Sequence, residues 1–249
     1  MKKKLVYLDV GTHLGQEFMA LLGHSLVMLG WKFFRIWVAS VIIRSKVIHS
    51  IEFNEAIKIF RSLKALRANK ADIYSILIEP NYRVFGAEAY QIANKVFCIA
   101  LGNESKPIGF EKLYFPDSFK MSQGASLYKS KNNVDLSDGD AVVVVNSSEF
   151  ASLLKQDLDS RFGENQYELV IRLNCEGAED SVIYAFKDRF KSQFNYVFGS
   201  LKDVGELKGH AELDALYDFL KDTGLEFTQF SPLYPTWHRA FSKIGTLIS

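Results

Sequence analysis

One short apolar segment that ends in an acid and a glycine-rich turn constrains the fold of this chain most strongly. Residues 5–8 (Leu-Val-Tyr-Leu) run directly into residues 9–15 (Asp-Val-Gly-Thr-His-Leu-Gly). This pattern is typical of a buried parallel strand that turns sharply into a helix. Gly11 and Gly15 permit positive φ and, without a Cβ, let a ligand approach the backbone. The turn is therefore predicted at the carboxyl end of a strand, where open α/β sheets bind their ligands.

Strand-like and helix-like segments alternate along the rest of the chain, which predicts a doubly wound, mostly parallel α/β sheet with the first strand at its centre. The predicted strands cover residues 6–10, 74–78, 96–101, 141–145, 169–173 and 195–198, with an antiparallel closing pair at residues 227–230 and 239–244. The predicted helices cover residues 83–94, 148–160, 180–190 and 211–223. All 249 residues fit one domain of this class.

Two long segments interrupt the alternation. Residues 18–70 form an insertion after the first strand, and residues 107–138 form an irregular excursion that is expected to carry a hairpin. Within the insertion, residues 26–43 are apolar but contain Lys32 and Arg35. A membrane-spanning helix needs about 20 residues almost free of charge, so no spanning helix is expected here.

The aromatic residues of the insertion are predicted to share one face of a helix. Trp31, Phe34 and Trp37 recur at helical spacing. In one interpretation this stripe packs against the core of the same domain. The alternatives are a homo-oligomer interface, a substrate lid and a peripheral membrane contact.

Charge and cysteine content bear on the class of protein. The formal net charge is +1, so a nucleic-acid partner is not expected. The two cysteines, Cys98 and Cys175, are predicted in buried strands as core residues rather than as a disulfide, which favours a reducing, cytoplasmic location. The five histidines are scattered without the spacing of metal ligands, so no metal site is predicted.

Polar or small residues follow several predicted strands and are expected to meet at one edge of the sheet. They are Asp9, Glu79, Gly102, Asn103 and Asn174. An acid that closes the second strand, as Glu79 does, is suited to accept hydrogen bonds from the two hydroxyls of a ribose. The alternative role of Glu79 is to cap the helix that follows it.

The ligand that best fits these residues is an adenosine without phosphates. The glycine spacing differs from the dinucleotide pattern G-x-G-x-x-G, and the sequence contains no Walker-type lysine motif. S-adenosylmethionine is the common ligand of this kind. Its methionine end needs a glycine-lined pocket and its ribose needs a carboxylate, which the turn and Glu79 supply in that order.

Four motifs resemble those of FkbM-type S-adenosylmethionine-dependent methyltransferases and follow in the order of that family. They are residues 8–16 (Leu-Asp-Val-Gly-Thr-His-Leu-Gly-Gln), 79–81 (Glu-Pro-Asn), 124–127 (Gly-Ala-Ser-Leu) and 171–179 (Ile-Arg-Leu-Asn-Cys-Glu-Gly-Ala-Glu). The last motif is similar to the family signature K-I-D-V-E-G-A-E. Four motifs in order are far more specific than any one of them.

The resemblance implies a seven-stranded sheet of the Rossmann-like methyltransferase type and O-methylation of a hydroxyl on a sugar, a glycan or a small natural product. Together with the strand ends, it implies a cofactor site formed by Asp9, Gly11, His13, Gly15, Gln16, Glu79, Asn81, Gly102 and Asn103. Asn174 and Glu176 are then the candidate catalytic residues, with Glu176 the first candidate for the general base. The weaker candidates for that base are His13, His210 and His238.

Two departures from the family pattern leave a second hypothesis open. Asn174 stands where the family usually has an aspartate, and an amide can position a substrate but cannot act as a general base. The insertion at residues 18–70 is also longer than expected. The alternative is therefore a non-catalytic binding or scaffolding protein on a methyltransferase fold.

Overall fold

The computed structural model describes residues 3–22, 72–102, 105–116, 124–129, 131, 135–229 and 237–248. Most of the insertion predicted at residues 18–70, including the aromatic stripe at residues 26–43, lies outside these described residues. No helix within the described part of the chain combines the length and the apolar character needed to cross a membrane.

The chain has an α/β fold in which strands and helices mostly alternate. In chain order the elements are β1 (Lys4–Val10), α1 (Gln16–Leu22), β2 (Ile73–Ile78), a 3₁₀ helix (Tyr82–Gly86), α2 (Glu88–Ile92), β3 (Lys95–Phe97), β4 (Ala100–Gly102), β5 (Ile108–Phe115), β6 (Asp135–Asn146), α3 (Ser147–Phe162), β7 (Tyr167–Leu173), α4 (Glu179–Phe190), a second 3₁₀ helix (Lys191–Gln193), β8 (Phe194–Gly199), α5 (Lys202–Lys208), α6 (His210–Asp222), β9 (Glu226–Gln229) and α7 (Trp237–Ile248).

Six strands form one parallel sheet in the order β3-β2-β1-β7-β8-β9. Val6 of β1 lies beside Tyr74 of β2 on one side and Leu169 of β7 on the other. This confirms the predicted mostly parallel sheet with the first strand at its centre. The chain leaves β1 for β2 and later returns to the far side of β1 with β7. Such a reversal of strand order leaves a crevice at the carboxyl ends of the strands.

Alternate residues of β1 point to opposite faces of this sheet, and helices cover both faces. Val6 and Leu8 belong to a core with residues of α3, α4 and α6, whereas Leu5 and Tyr7 belong to a core with residues of α1, α2 and α7. Burial on both faces explains why β1 is apolar almost throughout. The architecture is doubly wound and compatible with a Rossmann-like fold.

Three of the four predicted helices are confirmed as α3, α4 and α6. The start of α3 is capped by the side chain of Asn146, which accepts hydrogen bonds from the N–H groups of Ser148 and Glu149. The fourth helix, predicted at residues 83–94, is divided into a 3₁₀ helix and α2 at Ala87, whose backbone is extended.

A second sheet of three strands has the order β4-β6-β5. The strand predicted at residues 96–101 is interrupted at Cys98 and Ile99, so that β3 belongs to the main sheet and β4 to the small one. The strand predicted at residues 141–145 is part of β6 and also belongs to the small sheet. β5 and β6 pair in antiparallel fashion, and β5 and the first residues of β6 lie within the excursion predicted at residues 107–138.

Two predictions for the C-terminal part of the chain are wrong. β9 pairs with β8 in parallel and not as half of an antiparallel pair. The strand predicted at residues 239–244 lies in α7, where Ala240, Phe241 and Ile244 are buried. The spacing of these three residues fits one face of a helix and not the alternation of a strand. Within the described residues the main sheet has six strands, so the seven strands implied by the family resemblance are not confirmed.

Candidate functional site

A cleft opens at the carboxyl ends of β1, β2 and β7, where the strand order reverses. It contains about 640 Å³ of space when its open mouth is counted. Its polar lining consists of His13, Glu79, Asn81, Ser126, Asn174 and Glu176. Its apolar lining includes Ile99, Leu101 and Leu127.

The glycine turn after β1 contributes Gly11 to the wall of the cleft. Gly11 has φ +74°, and a Cβ at this position would lie 2.0 Å from the carbonyl oxygen of Asn174. Only glycine fits here, because the segments that follow β1 and β7 touch through their backbones. Gly15 instead packs outside the cleft, since a Cβ on it would lie 2.3 Å from the Cβ of Ala89 in α2.

Asp9 lies beneath the turn and does not line the cleft. Its carboxylate is fully buried and lies 3.1 Å from the guanidinium of Arg172 on β7. Arg172 also donates to the carbonyl oxygen of Gly11 at 2.6 Å and lies 3.2 Å from the carboxylate of Glu17. Burial raises the pKa of Asp9 to about 6, although the guanidinium acts to lower it. Asp9 and Arg172 therefore position the turn from below.

Glu79 lines the cleft at the end of β2 and is held by two backbone groups. Its carboxylate accepts hydrogen bonds from the N–H of His13 at 2.8 Å and from the N–H of Asn81 at 2.9 Å. The side chain is buried, and loss of hydration raises its pKa to about 7. An ionised carboxylate offers about four acceptor sites, so about two remain for a ligand. Glu79 can therefore accept two hydroxyl donors in the cleft.

His13 and Asn81 line the cleft on either side of Glu79. The backbone of His13 has φ +51°, and its carbonyl accepts a hydrogen bond from the hydroxyl of Tyr90. The side-chain oxygen of Asn81 accepts a hydrogen bond from the N–H of Arg83 at 3.2 Å and caps the first 3₁₀ helix. These contacts fix the two backbone N–H groups that hold Glu79.

The segment after β7 forms the opposite wall and is shaped by a second buried glutamate. The carboxylate of Glu179 accepts hydrogen bonds from the N–H groups of Cys175 at 3.0 Å and Gly177 at 2.9 Å. Burial raises the pKa of Glu179 to about 7. Glu179 does not line the cleft, so its contacts serve to shape the segment that carries Asn174 and Glu176.

The two candidate catalytic residues, Asn174 and Glu176, contact each other in the cleft. The amide nitrogen of Asn174 donates to the carboxylate of Glu176 at 3.4 Å. Glu176 also forms an ion pair with Lys131, whose ammonium lies 3.5 Å from the carboxylate of Asp203. Lys131 is mostly buried, and loss of hydration lowers its pKa. The nearby ammonium favours the ionised form of the Glu176 carboxylate.

The segment at residues 124–127 lies between the small sheet and the segment after β7. Ser126 is buried, and its backbone pairs with that of Tyr114 on β5. Its hydroxyl donates to the carbonyl of Glu176 at 2.8 Å. Leu127 packs against the core of the small sheet. This segment therefore ties the small sheet to the wall that carries Glu176.

The remaining residues of the predicted site lie elsewhere. Gly102 ends β4 and does not line the cleft, and neither does His210, which begins α6. Gln16 is the first residue of α1. The side chain of Gln16, that of His238 and the whole of Asn103 lie outside what the structure describes.

Both cysteines are free thiols. Cys98 is exposed in the connection between β3 and β4, so its prediction as a buried strand residue is wrong. Cys175 is half-buried in the segment after β7, and not within the strand itself. Within the described ranges, no group of three or more potential metal ligands comes together.

Two charged residues that shape this site, Arg172 and Lys131, are not predicted from the sequence. Arg172 is a cation within the mostly apolar sequence of β7, which is the one local indication that it has a buried partner. Lys131 lies in the excursion before β6, where nothing in the local pattern indicates its partner. Both residues act through contacts between segments that are distant in sequence.

Comparisons of this chain with protein-family models, with curated proteins and with solved structures found no match. Its function is therefore inferred from the cleft and the residues around it.

Proposed function

We propose that this protein is an S-adenosylmethionine-dependent O-methyltransferase that acts on a hydroxyl of a sugar, a glycan or a small natural product. The observation that carries the proposal is the position of Glu79. Its buried carboxylate keeps about two acceptor sites for a ligand and stands beside the glycine turn at a reversal of strand order. That is the place where α/β folds hold a ribose. The resemblance to FkbM-type methyltransferases adds to this argument.

The residues of the cleft fit the parts of this cofactor. Glu79 would accept hydrogen bonds from the ribose hydroxyls, and the backbone around Gly11 would face the methionine end. Ile99, Leu101 and Leu127 offer the apolar surface that a purine ring needs. When bound, S-adenosylmethionine supplies a methyl group on a positively charged sulfur, which a hydroxyl oxygen can displace.

The chain itself would contribute orientation and a proton acceptor. Positioning two reactants accounts for much of the rate of a displacement reaction. Asn174 can orient the hydroxyl through its amide, and it cannot take a proton. Glu176 lines the cleft beside Lys131, and in this proposal its ionised carboxylate receives the proton that the hydroxyl loses.

Binding of S-adenosylhomocysteine tests the cofactor assignment. Saturating ligand should raise the melting temperature of the wild-type protein, because a ligand that binds only the folded state stabilises it. Glu79→Gln should weaken binding by about 1–3 kcal/mol, as expected for lost hydrogen bonds to a charged group. No thermal shift and no calorimetric binding by the wild-type protein would refute the proposal.

Glu179→Gln is the matched control for this experiment. Glu179 is also a buried glutamate held by two backbone N–H groups, with a pKa raised to about 7, but it does not line the cleft. Both variants should therefore lose stability, whereas the loss of affinity should be far larger for Glu79→Gln. Equal losses of affinity would remove Glu79 from direct contact with the ligand.

A non-catalytic binding or scaffolding protein is the second candidate. It is favoured by the chemistry of the two candidate catalytic positions, which are an amide at Asn174 and a carboxylate at Glu176 already paired with Lys131. Binding of S-adenosylhomocysteine without methyl transfer to any of a panel of hydroxyl compounds would favour a binding role. Absence of cofactor binding would favour a scaffold.

A further inference from the structure

Two residues with strained backbones face the cleft from the ends of β1 and β7. His13 has φ +51° and Glu176 has φ +60°, values that residues with a Cβ rarely adopt. Such strain persists only where surrounding contacts enforce it, and it concentrates at functional sites. At Glu176 the enforcing contacts are visible. Ser126 donates to its carbonyl at 2.8 Å, and Glu179 holds the N–H groups on either side of it.

The side chain of Glu176 is fixed as firmly as its backbone. One carboxylate oxygen accepts from the amide of Asn174 at 3.4 Å, and the other is paired with the ammonium of Lys131. Lys131 is only 13% exposed and lies 3.5 Å from a carboxylate oxygen of Asp203. We name Asn174, Glu176, Lys131 and Asp203 the Glu176 cluster. A buried cation between two acids holds each of them more strongly than an exposed one does.

The charges of the Glu176 cluster bear on what can bind beside it. Glu176 and Asp203 contribute two negative charges, and Lys131 contributes one positive charge that both acids share. Two further acids, Glu179 and Glu206, also interact with this ammonium. An anionic acceptor placed against this cluster would meet net negative charge at short range. A neutral hydroxyl compound would meet a carboxylate that accepts its hydrogen bond and an amide that can donate one.

We propose that Lys131 is a positioning residue that holds the Glu176 carboxylate ionised and in place at the cleft, and that the acceptor is a neutral hydroxyl compound rather than a phosphorylated or carboxylated one. This inference rests on the proposed methyl transfer and specifies its substrate class. Without the ammonium of Lys131, the Glu176 carboxylate would stay protonated up to a higher pH. It could then accept the hydroxyl proton only above that pH.

A pair of acceptors that differ only in charge tests the substrate class. Methyl glucuronamide and methyl glucuronide, which carry the same hydroxyls, are incubated with the wild-type protein and S-adenosylmethionine, and S-adenosylhomocysteine release is measured. The neutral sugar is expected to have a kcat/KM at least about tenfold higher, because the glucuronide carboxylate is repelled at close range. A preference for the glucuronide, or methylation of neither sugar, would overturn the inference.

Three variants test the positioning role. Lys131→Met should lower kcat and move the acid limb of its pH profile to higher pH, and Lys131→Arg should restore most of the activity and the position of the limb. Lys208→Met is the control, because it removes a partly buried lysine from Asp180 outside the cleft lining. It should leave the acid limb where the wild-type protein has it. An unchanged acid limb in Lys131→Met would overturn the role of Lys131.

The design separates this inference from the proposed function. S-adenosylhomocysteine binding to the wild-type protein is measured first by calorimetry. If it does not bind, the proposed function and this inference both fail. If it binds and either of the overturning results above is obtained, the inference fails while the cofactor assignment stands. Should Lys131→Met fail to fold, Lys131→Gln, which removes the charge but keeps a polar group, is measured in its place, and an unchanged acid limb again overturns the role of Lys131.

Discussion

The guanidinium of Arg172 lies 3.1 Å from the carboxylate of Asp9, and the two residues are direct neighbours in the pairing of β7 with β1. Both are buried, and the guanidinium also reaches the carbonyl of Gly11 and the carboxylate of Glu17. One side chain thus connects the central strand, the glycine turn and α1. The wall of the cleft therefore depends on the contact between Asp9 and Arg172, although neither residue lines the cleft.

Removing the cation of this pair should be strongly destabilising. Arg172→Met is expected to lower the free energy of unfolding by about 3–5 kcal/mol, because it leaves Asp9 buried without its partner. Urea denaturation measures this change. Lys202→Met is the control, since the Lys202–Glu206 pair is largely exposed and its loss should matter little. Similar stability of the two variants would contradict a positioning role for Arg172.

Gly11→Ala should be destabilising beyond the cost of its backbone conformation. A Cβ at Gly11 would collide with the backbone of Asn174, whereas Gly224, with a similar φ of +63°, has no atom within 4 Å of its would-be Cβ. Gly224→Ala should therefore cost only about 1–2 kcal/mol of left-handed strain. Thermal unfolding compares the two. Gly11→Ala should unfold at a clearly lower temperature than Gly224→Ala and should bind no S-adenosylhomocysteine. Equal melting temperatures of the two variants would argue against the close contact between Gly11 and the backbone of Asn174.

The free energy of unfolding should fall as pH rises from about 4.5 to 7 in the absence of ligand. Burial raises the pKa of Glu79 and of Glu179 from an ordinary value of 4.5 to about 7. In this window the folded protein holds protons that the unfolded chain has released, so stability is present below pH 4.5 and is lost through pH 7. Each group contributes about 3 kcal/mol to this change.

Urea denaturation at a series of pH values checks this prediction. Glu179→Gln should show a shallower fall than the wild-type protein, because its amide does not titrate. A wild-type stability that rises steadily from pH 4.5 to 7 would show that other groups dominate.

Ligand affinity should have the opposite dependence on pH. A ribose diol that donates to Glu79 favours its ionised form, so binding should weaken as pH falls below the Glu79 pKa of about 7. The change approaches about tenfold per pH unit when binding requires the ionised form. Adenosine is the suitable probe, because it does not titrate in this range. Calorimetry between pH 5.5 and 8 should show this trend in the wild-type protein and a flat profile in Glu79→Gln.

Local patterns predicted much of this fold because the spacing of apolar residues within a strand or helix indicates which of its faces are buried. The apolar run of β1 indicated a strand buried on both faces, and α3, α4 and α6 were recognisable from their periodicity and end signals. The strand predicted at residues 239–244 is wrong, because this short apolar segment has helical spacing and lies in α7. Short segments of this kind are ambiguous, since tertiary packing decides between the two structures.

Local sequence patterns are enough to identify the residues at the ends of the parallel strands. Glu79, Asn174 and the turn with Gly11 are identifiable because the end of an apolar run is visible in the local sequence. The contacts of each of these side chains, in contrast, depend on how the folded chain packs. This packing turned Asp9 inward to Arg172, left Glu79 with acceptor capacity in the cleft, and brought Lys131 to Glu176. Local patterns cannot predict these contacts because each one joins segments that are distant in the chain. Their geometry arises only when the strands, helices and loops around the cleft pack together.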